Sequence, residues 1–145
     1  MHMFKLMSPE SGGNAAHAHI SVKPVTPKPM KDNKKSQERK SPASPDQKKL
    51  ETSFLASLLD HLPAIQALTQ PLPASYLRVQ DGIWSGGTYV AWGTYNKEAP
   101  VCLVDAHLPE SRRFEIKCID GLANPCVTLP CLLNVKPINP CVGYV

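Results

Sequence analysis

The stretch Arg113-Phe-Glu-Ile-Lys-Cys118 alternates charged and apolar side chains without a break. In an extended chain successive side chains point to opposite faces. Arg113, Glu115 and Lys117 therefore share one face, and Phe114, Ile116 and Cys118 share the other. Such a strand is half-buried: apolar partners cover one face, and the other displays two cations around a carboxylate. A solvated sheet face of mutually paired charges has the same pattern, so alternation alone assigns no ligand. The stretch His17-Ala-His-Ile-Ser-Val22 repeats the logic, with His17, His19 and Ser21 in front and Ala18, Ile20 and Val22 behind. Two imidazoles at i and i+2 can share a metal ion, and imidazole also serves as an ordinary polar strand residue.

A cover for these strands is legible too. Leu50, Phe54 and Leu58, with Leu55, Leu59 and Leu62, recur at three- and four-residue spacing and make one broad apolar helical stripe. Pro63 is expected to end this helix and to open a second short one over residues 64–68. Pro71 and Pro73 then force an extended path. Thr88-Tyr-Val-Ala-Trp92 is β-rich and alternating, which predicts a further strand. Strands and a covering helix together predict an α+β fold class. Between the histidine strand and the helix, residues 23–49 hold nine Lys/Arg against three Asp/Glu, five prolines and no aromatic residue. That composition buries too little apolar surface to offset its ordering entropy, and it predicts a disordered basic insert. Pro24 with Pro27, and Pro42 with Pro45, fit a P-x-x-P spacing, although a plain solvated linker does as well.

Composition narrows the partners. A length of 145 residues suffices for one domain with a core, and fifteen prolines against eight glycines imply much irregular chain. A net charge of +4 with 6% aromatics gives no extended nucleic-acid platform. No run of about 18 apolar residues predicts a membrane span, and the opening Met1 to Met7 is too short for a secretory signal. Five cysteines with no Cys-x-x-Cys pair argue against a zinc knuckle and for free thiols in a reducing cytoplasm. Zinc held by His17, His19 and a cysteine has only composition behind it.

Downstream of the charged strand comes Asp120-Gly-Leu-Ala-Asn-Pro125. With Trp84-Ser-Gly-Gly87, Trp92-Gly-Thr-Tyr-Asn96 and His17-Ala-His-Ile-Ser21, it resembles the C-terminal part of the glutamine synthetase catalytic domain. The resemblance runs over residues 12–125 in the family's order, and the Trp-Ser-Gly wording is most similar to the fluG-type members. It implies that residues 1–145 form an incomplete catalytic domain of that type, with antiparallel strands and packed helices. It also implies ATP-dependent ligation of glutamate and ammonia through a γ-glutamyl phosphate, with Mg2+ or Mn2+ as cofactor, ATP as co-substrate and a homo-oligomeric family habit. By resemblance, His17 and Glu115 share a divalent cation, His19 and Ser21 lie near the nucleotide, and Arg113 approaches its phosphates. Gly13, Arg78 and Lys117 correspond to glutamate-binding positions, and Lys97 to an arginine beside the transferring phosphate.

The departures from the family bear on activity. Lysine stands for arginine at positions 97 and 117, and Cys102 replaces a third arginine outright. A lysine keeps the charge and loses the bidentate fork, while a lost donor opposite developing charge removes about 3 to 4 kcal/mol of transition-state stabilisation. Trp84 occupies the neighbourhood of a catalytic glutamate. After Pro125 the family continues into a long helix, which Pro130, Pro137 and Pro140 are expected to forbid, leaving residues 126–145 as a divergent tail. His17 and Glu115 alone are thin ligation for a hard cation. The chain by itself is expected to be inactive. The alternative is a non-enzymatic regulatory or interaction protein built on a degenerate ligase fold.

Overall fold

The computed structural model describes residues 15–24, 44–77, 79, 81 and 88–135. Along the chain these form β1 (Ala16–Ile20), α1 (Pro45–Thr69), α2 (Pro73–Tyr76), β2 (Trp92–Thr94), β3 (Val101–Val104), β4 (Arg113–Ile119) and α3 (Pro125–Leu133). The four strands make one sheet in the order β1-β4-β3-β2. The β1/β4 and β3/β4 pairs are antiparallel, as expected, but β2 runs parallel to β3, so the sheet is mixed. The expected strand over 88–92 is displaced. Residues 88–90 are bends, and pairing begins at Trp92 opposite Val101. Strand propensity needs a partner's backbone, and β3 supplies one only from that point.

The period-2 pattern of β4 decides the layering. Phe114, Ile116 and Cys118 join Val101 and Leu103 in the core, under Phe54, Leu55, Leu58, Leu62 and Ile65 of α1. The Phe54 and Phe114 rings meet at 5.6 Å between centroids, within the usual range for aromatic pairs. Leu132 and Val135 close the core from the C-terminal side. Because α1 covers this face, the opposite face is left to the polar side chains of β1 and β4.

The helices depart from expectation at three points, each with a physical reason. First, α1 starts at Pro45, inside the stretch expected to be disordered. Ser44 caps it by accepting from the Gln47 amide at 3.1 Å, and Gln47 is itself buried against Glu51 at 2.9 Å. Lys23, at the other end of that stretch, bonds Glu110 at 3.1 Å; residues 25–43 lie outside the described residues. Second, Pro63 sits within α1 instead of ending it. An interior proline costs about 3 kcal/mol. Burial of Leu58, Leu62 and Ile65 on one stripe spanning the proline, at roughly 1.5–3 kcal/mol each, outweighs that cost. Third, Pro130 lies inside α3, which Asn124 caps by accepting from the Cys126 amide at 2.9 Å. There the wholly buried Leu132 anchors the last turn against α1. Among the described residues no helix is long and apolar enough to cross a membrane.

Candidate functional site

On the face away from α1, β1 carries His17, His19 and Ser21 outward, while Ala16, Ala18, Ile20 and Val22 are half-buried. His19 pairs with Glu115 in the antiparallel register, and Cys102 of β3 pairs with Glu115 from the other side. One cross-strand row therefore reads His19, Glu115, Cys102. Between Ala18↔Ile116 and Ala16↔Ile119 the register shifts, so β4 holds one residue more than β1 opposite His17. A bulge of this kind bends the strand and re-aims its side chains. Here His17 Nδ1 reaches to 3.8 Å from a Glu115 oxygen, and the two imidazoles meet edge to face at 5.0 Å.

One ligand atom each from His17, His19 and Glu115 lies within 4.8 Å of the others. Ligand bonds of about 2.1 Å allow donors on one ion to sit no more than roughly 4.2 Å apart, so a small rotamer change suffices. The donor set suits an ion that accepts nitrogen as well as oxygen, since a hard ion such as Mg2+ wants more oxygen. His19 has a competing engagement: its Nδ1 accepts from Arg113 Nε at 3.3 Å. A neutral imidazole accepting at Nδ1 carries its proton on Nε2 and offers a donor there. Burial, chiefly, lowers the His19 pKa below the ordinary histidine value; His17 and Arg113 add to this and Glu115 opposes it. The geometry thus separates the two rings. His17 faces Glu115, and His19 stands beside a guanidinium whose Nε–H it accepts at Nδ1.

Arg113 is held by three acceptors. Its Nε meets His19, and its Nη1 meets both the Asp105 carboxylate and the Ser111 carbonyl, the latter at 3.0 Å. Arg112, one residue earlier, turns the other way and is absorbed by structure. It grips the buried Glu51 through Nε and Nη2 at 2.7–3.2 Å and donates Nη1 to the Ala106 carbonyl.

Other expected site residues stand apart from this cluster. Ser21 donates its hydroxyl to the Arg112 carbonyl at 3.1 Å, so it closes the strand end. Lys117 is buried, and its ammonium donates to the carbonyls of Asn96, at 3.3 Å, and Lys97. Lys97 is solvent-exposed on the bend after β2. That bend is fixed by Gly93, where an added Cβ would fall 2.6 Å from the Asn96 Cβ. Gly13, Arg78 and Trp84 lie outside the described residues. Asp105 went unnoticed in the sequence, where an aspartate after a strand reads as a turn residue. Its contact with Arg113 shows only in the structure, where its backbone turns to a φ of 52° after β3.

Two imidazoles, a carboxylate and a guanidinium therefore share one face of a helix-backed mixed sheet. The family model described as "Glutamine synthetase, catalytic domain" matches residues 2–135. The chain belongs to the glutamine synthetase family, as a part of its catalytic domain with fluG-like sequence. It is 37% identical over 125 residues to the protein fluG of Emericella nidulans, covering 86% of this chain and 11% of that protein. It is 40% identical over 80 residues to gamma-glutamylpolyamine synthetase GlnA3 of Streptomyces coelicolor, covering 53% of this chain and 17% of that protein. Its fold is similar to the Plasmodium falciparum glutamine synthetase determined by cryo-electron microscopy. That match has a TM-score of 0.65 at 18% identity and covers 92% of this chain and 25% of the other. The chain therefore spans a minor part of the length of the proteins it matches.

Proposed function

We propose that this chain supplies a cation- and phosphate-binding part of an ATP-dependent glutamate–ammonia ligase site and is inactive by itself. The observation that carries this reading is the convergence of His17 and Glu115 beside the His19–Arg113 pair on one open sheet face. Divalent cations, when bound, neutralise the phosphate charge that this chemistry gathers. His17 and Glu115 are the residues that would hold one, as Mn2+ or as Mg2+ completed by oxygen ligands from elsewhere. His19 and Arg113 would face nucleotide phosphate oxygens with N–H donors, which position charge without taking part in bond making. Gly13, Arg78 and Lys117 would face glutamate, and Lys97 the transferred phosphoryl group. In this structure, however, the Lys117 ammonium is already held by the 96–97 carbonyls.

Titration of the purified chain with ATP, with and without Mn2+, tests the reading. Metal-dependent binding that is lost in Glu115→Ala is expected, together with no turnover of ATP, glutamate and ammonia. Equal ATP affinity with and without metal would overturn the binding claim, and metal-dependent glutamine formation would overturn the claim of inactivity.

A second reading has one specific observation in its favour. At the cross-strand position beside Glu115 the chain carries Cys102, buried, where the family resemblance implies an arginine. A non-enzymatic interaction protein on a degenerate ligase fold would tolerate that loss. Retained metal and nucleotide binding is the outcome that separates the ligase reading from this one.

A further inference from the structure

Asp105 follows β3 with a φ of 52°, a left-handed conformation that a side chain makes costly, though aspartate tolerates it better than most residues. The Asp105 carbonyl accepts from the Leu108 amide at 2.9 Å, which stitches the turn shut behind it. With its backbone so fixed, the carboxylate meets Arg113 Nη1, while Arg113 Nε points at His19 Nδ1. Among the described residues Arg113 Nη2 makes no hydrogen bond, in contrast to Arg112, whose three nitrogens are all engaged. The contacts leave Arg113 Nη2 without a partner among the described residues, and they leave the His19 ring, engaged at Nδ1, to carry its proton at Nε2.

We propose that Asp105 is a positioning residue that sets Arg113, and through it the ring of His19, so that both present N–H donors to one phosphate group. This rests on the reading of the polar face as a phosphate site and adds the residue that orders it. Without the carboxylate, Arg113 keeps only the Ser111 carbonyl and the His19 nitrogen as acceptors, and its long side chain regains rotamer freedom. The donor at His19 Nδ1 is then no longer held in place, and the ring's two tautomers exchange. Backbone strain sits here because the turn must place a charge, a pattern common where geometry serves a site. A glycine would satisfy the turn more cheaply and would supply no carboxylate.

The test uses the whole chain and two substitutions. Asp105→Gly removes the carboxylate and relieves the positive φ, so a folding defect is not the expected outcome. Asp105→Asn keeps a residue that tolerates the left-handed region and removes only the charge. Long-range 1H–15N spectra of the imidazoles read the His19 tautomer without any ligand. The wild type is expected to show His19 protonated at Nε2, and Asp105→Gly to show averaged tautomers, with His17 unmoved. Titration with inorganic tripolyphosphate then reads the phosphate site. Loss of one charge-assisted contact predicts roughly tenfold weaker binding in Asp105→Gly, with Asp105→Asn in between. Unchanged tautomer and unchanged affinity in Asp105→Gly overturn the proposal while leaving the phosphate reading standing. A wild-type chain that binds no tripolyphosphate overturns the phosphate reading, and the proposal with it.

Discussion

Ser75 donates its hydroxyl to the Asp120 carboxylate across 2.6 Å, with both residues buried. The same hydroxyl oxygen accepts from the Leu72 amide at 3.3 Å, and the other Asp120 oxygen accepts from the Leu122 amide at 2.9 Å. The Asp120 amide in turn donates to the Thr69 carbonyl at 2.8 Å. One buried carboxylate thus ties the exit of α1, the short α2 and the turn after β4 into a single knot. The stretch that carries the family resemblance at Asp120 thus meets α2 as structure.

Ser75→Ala should therefore destabilise the chain by about 1.5 to 3 kcal/mol, the range for a hydrogen bond to a charged group. Urea unfolding followed by circular dichroism measures it. An unchanged midpoint would show that water replaces the hydroxyl and that the knot is not closed.

Two glutamates of the same chain should behave oppositely. Glu51 is buried and grips Arg112 with both oxygens. Glu51→Ala leaves a guanidinium without its partner, so a loss of about 3 to 5 kcal/mol is expected. Glu115 lies on the open face beside His17, and its replacement by alanine should change stability by less than about 1 kcal/mol while abolishing Mn2+ binding. Thermal unfolding of both variants, with and without Mn2+, distinguishes them. Comparable losses in the metal-free proteins would contradict this division of roles.

Pro63 is exposed within α1 and supplies no amide to the helix. Replacing it with alanine restores one main-chain hydrogen bond and a better helix former. We expect Pro63→Ala to raise stability by about 1 to 3 kcal/mol, read as a shift of the denaturation midpoint. A loss instead would mean that the core stripe through Leu58, Leu62 and Ile65 is matched to a proline-bent axis.

The basic stretch should divide into dispensable and structural parts. Removing residues 25–43 with a short Gly-Ser bridge is expected to leave the unfolding temperature nearly unchanged, as their charge and proline content implies. Removing residues 23–49 takes away the Ser44 cap and the buried Gln47 as well. Ser44→Ala alone should cost about 1 kcal/mol. Calorimetry on the two deletions compares them, and equal unfolding temperatures would sink the distinction.

Side-chain period is a local property, and it settled much of this protein in advance. Alternation at Arg113 to Cys118 and at His17 to Val22 determined two strands and which of their faces is polar, because successive extended residues must point apart. The Leu/Phe spacing determined α1 for the same kind of reason. From these the sequence placed His17, His19, Arg113 and Glu115 on outward faces. Only the tertiary structure decided what those groups meet, since their partners lie far along the chain: 94 residues separate His19 from Arg113, and 61 separate Glu51 from Arg112. It separated two adjacent arginines into one embedded in structure and one aimed at the open face. It turned Lys117 onto the carbonyls of Asn96 and Lys97 and away from the cluster, and it brought in Asp105 from a turn that spacing alone describes as ordinary. It also overrode Pro63 and Pro130, because burial summed over a packed helix exceeds the cost of one missing hydrogen bond.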